Sequence, residues 1–553
     1  MTGTAASAPC SVSCDRRFRL TTQCVHQLQR LTIGLLLFLG LSTSIASAQG
    51  YSDLYEFGAA GGGCCPQYPS LMTQGQDGSL YGITSSGGSS SVGIVFKITP
   101  SGTFNIIYNF DTVHGSTPVG GLTLGVDGDL YGTTEEGGAN GFGNIFKITP
   151  SGNLTVLYDF KGAADGGHPV SALVLGTDGV FHGTSYPGVA FKMTTKGVVT
   201  VIKPIPATTF GPLLEATDGN YYGVTEFGGT FSAGTVYKIA GTKVTTLYNF
   251  DGTHGSFPIG GLVQASDGAL YGTTTAGGAS NAGVIYKITT AGTLTVVLSF
   301  DSVHTLDGYQ AFAGLVAGSD GNLYGATIWG GKNGYGVIFQ LTTGGAYSVL
   351  YSFDAPHGDG AYATPMQHTS GKLFGMTERG GTPGKGGIYS FDYGVSPFAS
   401  LVTTVGTVGK TIGILGQGFS GTTSVKFNGT PAATFKVISD TYLTVKVPSG
   451  ETGFVRITTP SSTLISNRVF KVTPKITSIA PTSGKVGDQV VISGTGLIQA
   501  SAISVGGVAV TAFTVNSDSK VTFVVPAGAK TGKVVATTPG GKASSTTAFT
   551  VTP

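Results

Sequence analysis

The chain has 553 residues, of which only 10% are charged and 91 are glycine. This length predicts several domains, and the abundant glycine, with no stretch of long amphipathic-helix periodicity, argues against a helical protein and favours a turn-rich β protein. The formal net charge of +2 conceals an asymmetry, because residues 49–393 carry −10 and residues 394–553 carry +9.

Residues 1–48 have the features of an export signal. Basic residues from Arg16 to Arg30 precede an apolar run over residues 31–45, and Ala46-Ser47-Ala48 forms a small-residue cleavage site. The apolar run is too short for a comfortable membrane span, and no second one follows. The sequence therefore predicts a secreted, extracellular or surface-located protein with no transmembrane span after cleavage.

Two of the five cysteines, Cys64 and Cys65, follow this signal. So few cysteines exclude a scaffold held by disulfides. The adjacent pair is either a loop with two oxidisable thiols, a strained vicinal disulfide, an intermolecular link or a pair of metal ligands, and two ligands alone do not make a metal site.

One stretch recurs seven times and is clearest at residues 127–134, Asp-Gly-Asp-Leu-Tyr-Gly-Thr-Thr. Successive copies lie 40 to 53 residues apart, which is the period of a propeller blade or a similar four-stranded unit. The glycine after the aromatic residue marks the copies at Gly82, Gly132, Gly183, Gly223, Gly272, Gly325 and Gly375.

Each unit repeats the same order of strands, which we name B, C, D and A. In the fifth unit an Asp-Gly pair forms the tight turn before strand B (residues 269–274), a paired glycine follows, and strands C (284–288) and D (294–300) are joined by a small turn. A short apolar run, residues 314–316, supplies strand A before the next Asp-Gly. The third unit is degenerate, because His182 replaces the tyrosine and the paired glycine is missing.

The two ends of the array complete each other. Residues 51–57 resemble a lone D strand, whereas the seventh unit stops after its C strand at residues 387–391. Pairing them closes a ring of seven blades with no open edge. We therefore predict a seven-bladed β-propeller over residues 49–393.

The repeated pattern also carries a family resemblance. Asp-Gly-x-Leu-Tyr-Gly-Thr-Thr, then Gly-Gly, then Gly-x-Val-Phe-Lys-Ile-Thr resembles the bacterial GloVer (Gloeo/Verruco) tandem repeat over about residues 51–391. That resemblance implies export and assigns no activity to any residue.

After residue 393 the period changes to two related units, residues 394–472 and 473–553. Their short alternating strands with Gly and Pro turns predict β-sandwiches. The second unit, from Pro474 through Pro481-Thr482-Ser483-Gly484 to Val551, resembles the immunoglobulin-like IPT/TIG family. The first unit keeps Gly416-Gln417-Gly418-Phe419 but lacks the opening Pro-x-x-Gly. Some intracellular members of that family bind DNA, and an exported chain argues against a nucleic-acid partner here.

Loop lengths select one face of the propeller for binding. The A–B and C–D turns are short and share one face, whereas the D–A and B–C loops on the opposite face are long and variable, as binding loops on rigid scaffolds are. Repeated groups in these loops would form a partial ring around the channel mouth, suited to a cation or polyol; calcium is the one ion considered, and no other cofactor is predicted. Candidate ligand-binding residues are His114, Glu135, Glu226, His254, His304, Trp329, His357 and Glu378, with His168 at a related place.

Each candidate has a structural alternative. An Asp or His that bonds its local backbone in every blade needs no ligand, and Trp329, Tyr309 and Tyr335 either stack on sugar rings or pack in the ordinary way. The Asp of each Asp-Gly turn is expected to be structural.

The expected function is that of a non-enzymatic binding or adhesion protein whose partner is polysaccharide or the cell envelope. No phosphate-cradling glycine loop, nucleophile elbow or zinc-helix signature stands in a suitable context, and no catalytic residue is assigned. The alternatives are a carbohydrate-active lyase or hydrolase that uses carboxylates among Glu135, Glu136, Glu226 and Glu378, and a purely structural envelope component.

Overall fold

A computed structural model describes residues 50–58, 71–162, 165–205, 207–303, 305–382 and 384–553. Apart from one turn of 3₁₀ helix, Thr305–Asp307, the regular structure of these residues is β, as predicted. The predicted export signal, Cys64, Cys65 and His304 lie outside the described residues. No helix among the described residues has the length and hydropathy of a membrane span.

Seven four-stranded antiparallel sheets form the seven-bladed β-propeller that the repeat predicts, each with strands hydrogen-bonded in the order A-B-C-D. The A strands are Thr73–Gln74, Thr123–Leu124, Val174–Leu175, Leu214–Glu215, Val263–Gln264, Val316–Ala317 and Met366–Gln367. The B strands are Leu80–Thr84, Leu130–Thr134, Phe181–Ser185, Tyr221–Thr225, Leu270–Thr273, Leu323–Ala326 and Leu373–Thr377. The C strands are Ile94–Ile98, Asn144–Ile148, Val189–Met193, Thr235–Ala240, Val284–Ile288, Val337–Leu341 and Gly387–Asp392. The D strands are Phe104–Asn109, Leu154–Asp159, Val199–Pro204, Lys243–Asn249, Leu294–Ser299, Tyr347–Ser352 and Gly50–Glu56.

The Asp of the Asp-Gly turn is a structural residue. In blade 2 the Asp127 carboxylate accepts hydrogen bonds from the Asp129 backbone N (3.3 Å) and from the Tyr131 hydroxyl (2.8 Å). The degenerate third blade keeps an equivalent side-chain contact, because His182 Nε2 lies 3.1 Å from the Asp178 carboxylate. Hydroxyl and carboxylate are paired in the same way in Tyr81 and Asp77, Tyr222 and Asp218, Tyr271 and Asp267, and Tyr324 and Asp320.

The marker glycine is explained by an aromatic ring on the neighbouring strand C. A Cβ atom on Gly132 would lie 2.6 Å from Cζ of Phe146, so no side chain fits there. The seven pairs in register are Gly82 and Phe96, Gly132 and Phe146, Gly183 and Phe191, Gly223 and Tyr237, Gly272 and Tyr286, Gly325 and Phe339, and Gly375 and Tyr389.

The ring closes between its two ends. Gly50–Glu56 pairs antiparallel with Gly387–Asp392, with Tyr51 opposite Phe391, so the N-terminal segment supplies strand D of blade 7. The Tyr51 ring also stacks on Tyr351 of blade 6, with ring centroids 4.2 Å apart. Closure therefore joins blade 7 both to itself and to its neighbour.

Two β-sandwiches of one topology follow the propeller, and each pairs a four-stranded with a five-stranded sheet. The first consists of Ser400–Leu401, Thr411–Leu415, Tyr442–Lys446 and Phe435–Ser439 against Val405–Thr407, Thr463–Thr473, Gly453–Thr458, Ser424–Phe427 and Thr430–Pro431. The second consists of Lys475–Ala480, Gln489–Thr495, Lys520–Val524 and Phe513–Ser517 against Ser483–Gly484, Gly541–Val551, Gly532–Thr538, Ala502–Val505 and Val508–Ala509. The first sandwich thus has an opening strand, Ser400–Leu401, without the Pro-x-x-Gly signature.

The first sandwich is seated on the turn face of the propeller, where the A–B turns lie. Thr441 Oγ1 donates to the Gln76 carbonyl of blade 1 (2.9 Å), and Lys471 Nζ donates to the Thr217 carbonyl of blade 4 (3.2 Å). Gln417 Nε2 donates to Thr369 Oγ1 of blade 7 (2.9 Å). Because blade 4 lies across the ring from the seam between blades 7 and 1, this sandwich spans the propeller axis. The opposite face, which we call the loop face, carries the D–A and B–C loops.

Candidate functional site

The loop face repeats one backbone arrangement with different side chains. In blade 2 the D–A and B–C loops pair through Ser116 and Glu136, whose backbone N and O atoms exchange hydrogen bonds of 2.8 and 3.1 Å. The same pairing recurs between Ser256 and Ala276, Tyr309 and Trp329, and Asp359 and Arg379. A constant backbone therefore presents variable side chains around the mouth of the channel.

Glu135, Glu226 and Glu378 occupy equivalent positions on blades 2, 4 and 7. Their backbone N atoms donate to the carbonyls of Thr117, Thr208 and Gly360 at 3.0, 3.1 and 3.0 Å. On blades 3, 5 and 6 the residues at this position are Tyr186, Thr275 and Ile328, whose N atoms donate to the carbonyls of His168, Phe257 and Gln310. Three glutamates are thus placed around the mouth, each on its own blade.

An apolar collar surrounds the axis below these residues. Its members lie four residues before the A strands of blades 2 to 7, the innermost strand of each blade, and they are buried or half-buried. The Phe312 and Tyr362 rings of neighbouring blades are 5.1 Å apart. The collar consists of Val119, Val170, Phe210, Ile259, Phe312 and Tyr362.

A depression of about 330 Å³ opens on the loop face at blades 2 to 4. We call it the blade 2–4 depression. Its polar lining combines the carboxylates of Glu135 and Glu136 with the His168 ring and with Tyr186, whose side chain is 50% exposed. The rest of the lining is Val119, Val170, Thr208 and Phe210.

The carboxylates of this region are partly desolvated. Burial raises the pKa of the Glu135 carboxyl, and the charge of Glu136 raises it further, whereas His168 opposes the shift. Burial also raises the pKa of Glu226 on blade 4. Both carboxyl groups are therefore partly removed from water, and a hydrogen-bond donor placed against them would compensate that loss.

Exposed aromatic side chains cluster on the B–C loops of the same blades. Phe142 of blade 2 is 38% exposed, and Phe227 and Phe231 of blade 4 are 50% and 60% exposed. Together with Tyr186 they give blades 2 to 4 a set of accessible ring faces. Sequence reasoning missed them, although Phe227 stands at the B–C loop position of Trp329 and Tyr186 at that of Glu135.

Blades 6 and 7 present a different arrangement. Trp329 is half-buried, and the Arg379 guanidinium lies over its ring, 5.7 Å from the centroid. Arg379 Nε also lies 3.4 Å from the Glu378 carboxylate, an ion pair without hydrogen-bond geometry, and Nη2 lies 3.4 Å from the Tyr362 hydroxyl. Trp329 and Glu378 are thus both engaged by one arginine; Tyr309 pairs with Trp329 through its backbone.

The histidines form a group separate from the glutamates. His114, His254 and His357 follow strand D, the outermost strand, and their exposed Nδ1 atoms lie 2.9, 2.8 and 2.6 Å from the carboxylates of Asp111, Asp251 and Asp354. This local bonding matches the structural alternative. His168 does not share their turn, because it has a left-handed backbone (φ 50°) equivalent to that of Thr117 (φ 52°).

No group of three or more His, Cys, Asp or Glu side chains suited to hold a metal ion occurs among the described residues. The structure therefore does not bring Glu135, Glu226 and Glu378 together as a metal cluster. The calcium prediction stays a prediction.

The fold is that of a repeat-built β-propeller that carries immunoglobulin-like sandwiches. The chain belongs to the Gloeobacter/Verrucomicrobia repeat family, whose model matches residues 40–205 and 207–433, more than half of the chain. An IPT/TIG domain matches residues 474–551. Both predicted resemblances are confirmed, and the repeat match extends into the first sandwich.

Solved structures show distant similarity. A surface glycan-binding protein from Prevotella bryantii is 23% identical over 28% of this chain and 39% of its own (TM-score 0.21), and one from a xyloglucan utilization locus in Bacteroides uniformis is 19% identical over 28% and 48% (TM-score 0.15). A fungal alcohol oxidase in complex with copper is 13% identical over 77% and 100% (TM-score 0.43). The chain spans less than half the length of either glycan-binding protein, and scores this low carry no argument about function. Among curated proteins no relative matches the chain.

Proposed function

We propose that this protein is an exported, non-enzymatic binding protein of the cell surface or extracellular space, and that it recognises carbohydrate with the loop face of its propeller. The observation that carries the proposal is the blade 2–4 depression, which is lined by exposed Tyr186 together with Glu135 and Glu136. An aromatic face suits the C–H side of a saccharide ring, and carboxylates accept hydrogen bonds from its hydroxyls.

The sandwiches support an envelope partner. The first sandwich covers the turn face through its contacts with Gln76 and Thr217, so it lies on the side of the propeller opposite the loop face. The +9 charge of residues 394–553 suits attachment to anionic surface polysaccharide, while the acidic propeller presents the site. An alternative role for the lysines is to protect exposed strand edges from pairing.

A glycan array tests the proposal, run once with calcium and once with a chelator. Selective binding is expected, and Tyr186→Ala should weaken it at least about tenfold because one stacking surface is lost. The matched control is Phe454→Ala, an aromatic residue with similar exposure (46%) on the first sandwich. A blank array, or equal losses in both variants, would contradict the proposal and favour a structural envelope role.

The second candidate is a carbohydrate-active lyase or hydrolase. The observation that favours it is the raised pKa of Glu135 in a depression that also holds the Glu136 carboxylate, since a general acid must keep its proton. Release of shortened or unsaturated oligosaccharides from bound glycans, abolished by Glu135→Gln, would establish this enzyme. Binding without product release supports the non-enzymatic proposal.

A further inference from the structure

The polar lining of the blade 2–4 depression is dominated by hydrogen-bond acceptors. Ionised Glu135 and Glu136 together offer four acceptor oxygens and no donor. Tyr186 and Thr208 contribute side chains that can donate as well as accept. The lining contains no lysine and no arginine.

The backbone contacts of His168 add another acceptor. Its Nδ1 lies 3.0 Å from the Glu135 carbonyl oxygen, which can only accept, so Nδ1 carries the proton. In the neutral ring Nε2 is then an acceptor. The His168 backbone N also donates to the Phe142 carbonyl at 2.7 Å, so the backbone of this residue is held as well as its ring.

The two carboxylates also repel each other. The Glu136 charge disfavours ionisation of Glu135, so a positive charge between them would remove the repulsion and satisfy the acceptors. Glu226 lies on blade 4, where its backbone N donates to the carbonyl of Thr208 in the lining. Arg379, a basic residue of the blade 7 B–C loop, is engaged with Trp329 and Glu378.

We propose that the blade 2–4 depression selects glycans that carry a free primary amine, whose ammonium group binds Glu135 and Glu136 while a sugar ring lies against Tyr186. An ammonium group provides three donors and a positive charge, which match an acceptor-rich lining. This inference rests on the proposed function and names the ligand class of the same site.

Three β-1,4-linked tetrasaccharides that differ only at C2 separate the inference from the proposal it rests on. They carry an ammonium (glucosamine), an acetamide (N-acetylglucosamine) or a hydroxyl (glucose). In titration calorimetry at low salt, the glucosamine tetramer is expected to bind at least about tenfold tighter than the others, because charge-assisted hydrogen bonds are about twice as strong as neutral ones. The preference should shrink in high salt.

Variants assign the preference to residues. Glu135→Gln and Glu136→Gln should lower the affinity for the glucosamine tetramer to that for the glucose tetramer. Tyr186→Ala should weaken all three alike. Asp307→Asn changes an exposed carboxylate of the blade 5 D–A loop on the same face, outside the depression, and should leave all three affinities unchanged. Equal unfolding midpoints show that each variant is folded.

Equal affinities for the three tetramers, with loss on Tyr186→Ala, would overturn the amine preference and leave the carbohydrate proposal standing. If Asp307→Asn reduces the amine preference as much as Glu135→Gln does, the preference arises from the overall negative charge of the propeller. That result would overturn the assignment of the amine site to the blade 2–4 depression. If none of the tetramers binds, the amine inference is overturned, and the array then decides the broader proposal.

Discussion

The two ends of each blade obey different rules. At the turn end, the polar side chains of the Asp-Gly turn and strand B form hydrogen bonds with each other, as Asp127 does with Tyr131. The first sandwich covers the A–B turns near the axis. At the loop end, the backbone pairing is repeated while the side chains differ, so Glu135, Tyr186 and Ile328 hold one position in different blades. Residues that recur in every blade therefore maintain the architecture. Ligand-binding residues are expected where equivalent backbone positions carry different side chains.

The largest expected effect is at the marker glycine. Gly132→Val should cost about 3 kcal/mol or more, because its Cβ would lie 2.6 Å from the Phe146 ring. At the loop end, Glu136→Ala should change stability by less than about 0.5 kcal/mol. Urea denaturation measures both. Adding Phe146→Leu to Gly132→Val should recover part of the lost stability. Equal stability losses in Gly132→Val and Glu136→Ala would contradict the proposed difference between the turn end and the loop end.

Acid should weaken the turn end through His368 in the turn of blade 7. Burial lowers the pKa of this histidine from 6.5 to about 4, and the contact of Nε2 with the Gly78 carbonyl (3.1 Å) opposes the shift only partly. Between pH 6.5 and 4, His368 is protonated in the unfolded chain but neutral in the folded protein. The free energy of unfolding therefore falls as the pH falls, by on the order of 3 kcal/mol at pH 4. Above pH 6.5 the effect vanishes.

His368→Gln isolates this contribution, since all other acid groups act equally in both proteins. Denaturation at pH 7.5 and at pH 4.5 should show a smaller acid loss in the variant. The same loss in both proteins would mean that His368 takes up its proton in the folded state.

A smaller effect is expected at the turn aspartate. Asp127→Ala removes the hydrogen bonds from the Asp129 backbone and the Tyr131 hydroxyl, and should cost about 1–2 kcal/mol. Tyr131→Phe and the double variant complete a cycle whose coupling energy should be about 1 kcal/mol. Additive losses would show that the hydroxyl and the carboxylate do not interact.

The smallest expected effect is at the aromatic residue over the marker glycine. The buried Tyr286 hydroxyl has no hydrogen-bond partner among the described residues, and other blades have Phe at this position. Tyr286→Phe should therefore be neutral or stabilise by up to about 1 kcal/mol. The matched control is Tyr271→Phe, which loses the 2.8 Å bond to Asp267 and should destabilise. Equal losses in thermal unfolding would indicate that the Tyr286 hydroxyl is paired.

The repeat made the architecture predictable, because strand order, turns and closure all depend on local patterns that recur seven times. The seating of the first sandwich did not follow, since it uses backbone carbonyls of Gln76 and Thr217 that no side-chain pattern reveals. Pairing of Arg379 with Trp329 joins different blades, which a linear sequence does not show. Tyr186 was overlooked because it lies in the third unit, where the missing paired glycine obscures the equivalence with Glu135.

The seam at blade 7 makes the start of the propeller its last part to be secured. Gly50–Glu56 must wait for a partner, Gly387–Asp392, that lies more than three hundred residues further along the chain. During synthesis, the chain therefore carries an early segment without its partner and, later, a blade 7 edge without its strand, both open to wrong pairing. Long-range strand pairing of this kind forms slowly, so ring closure is expected to be a late folding step, after the other blades have formed.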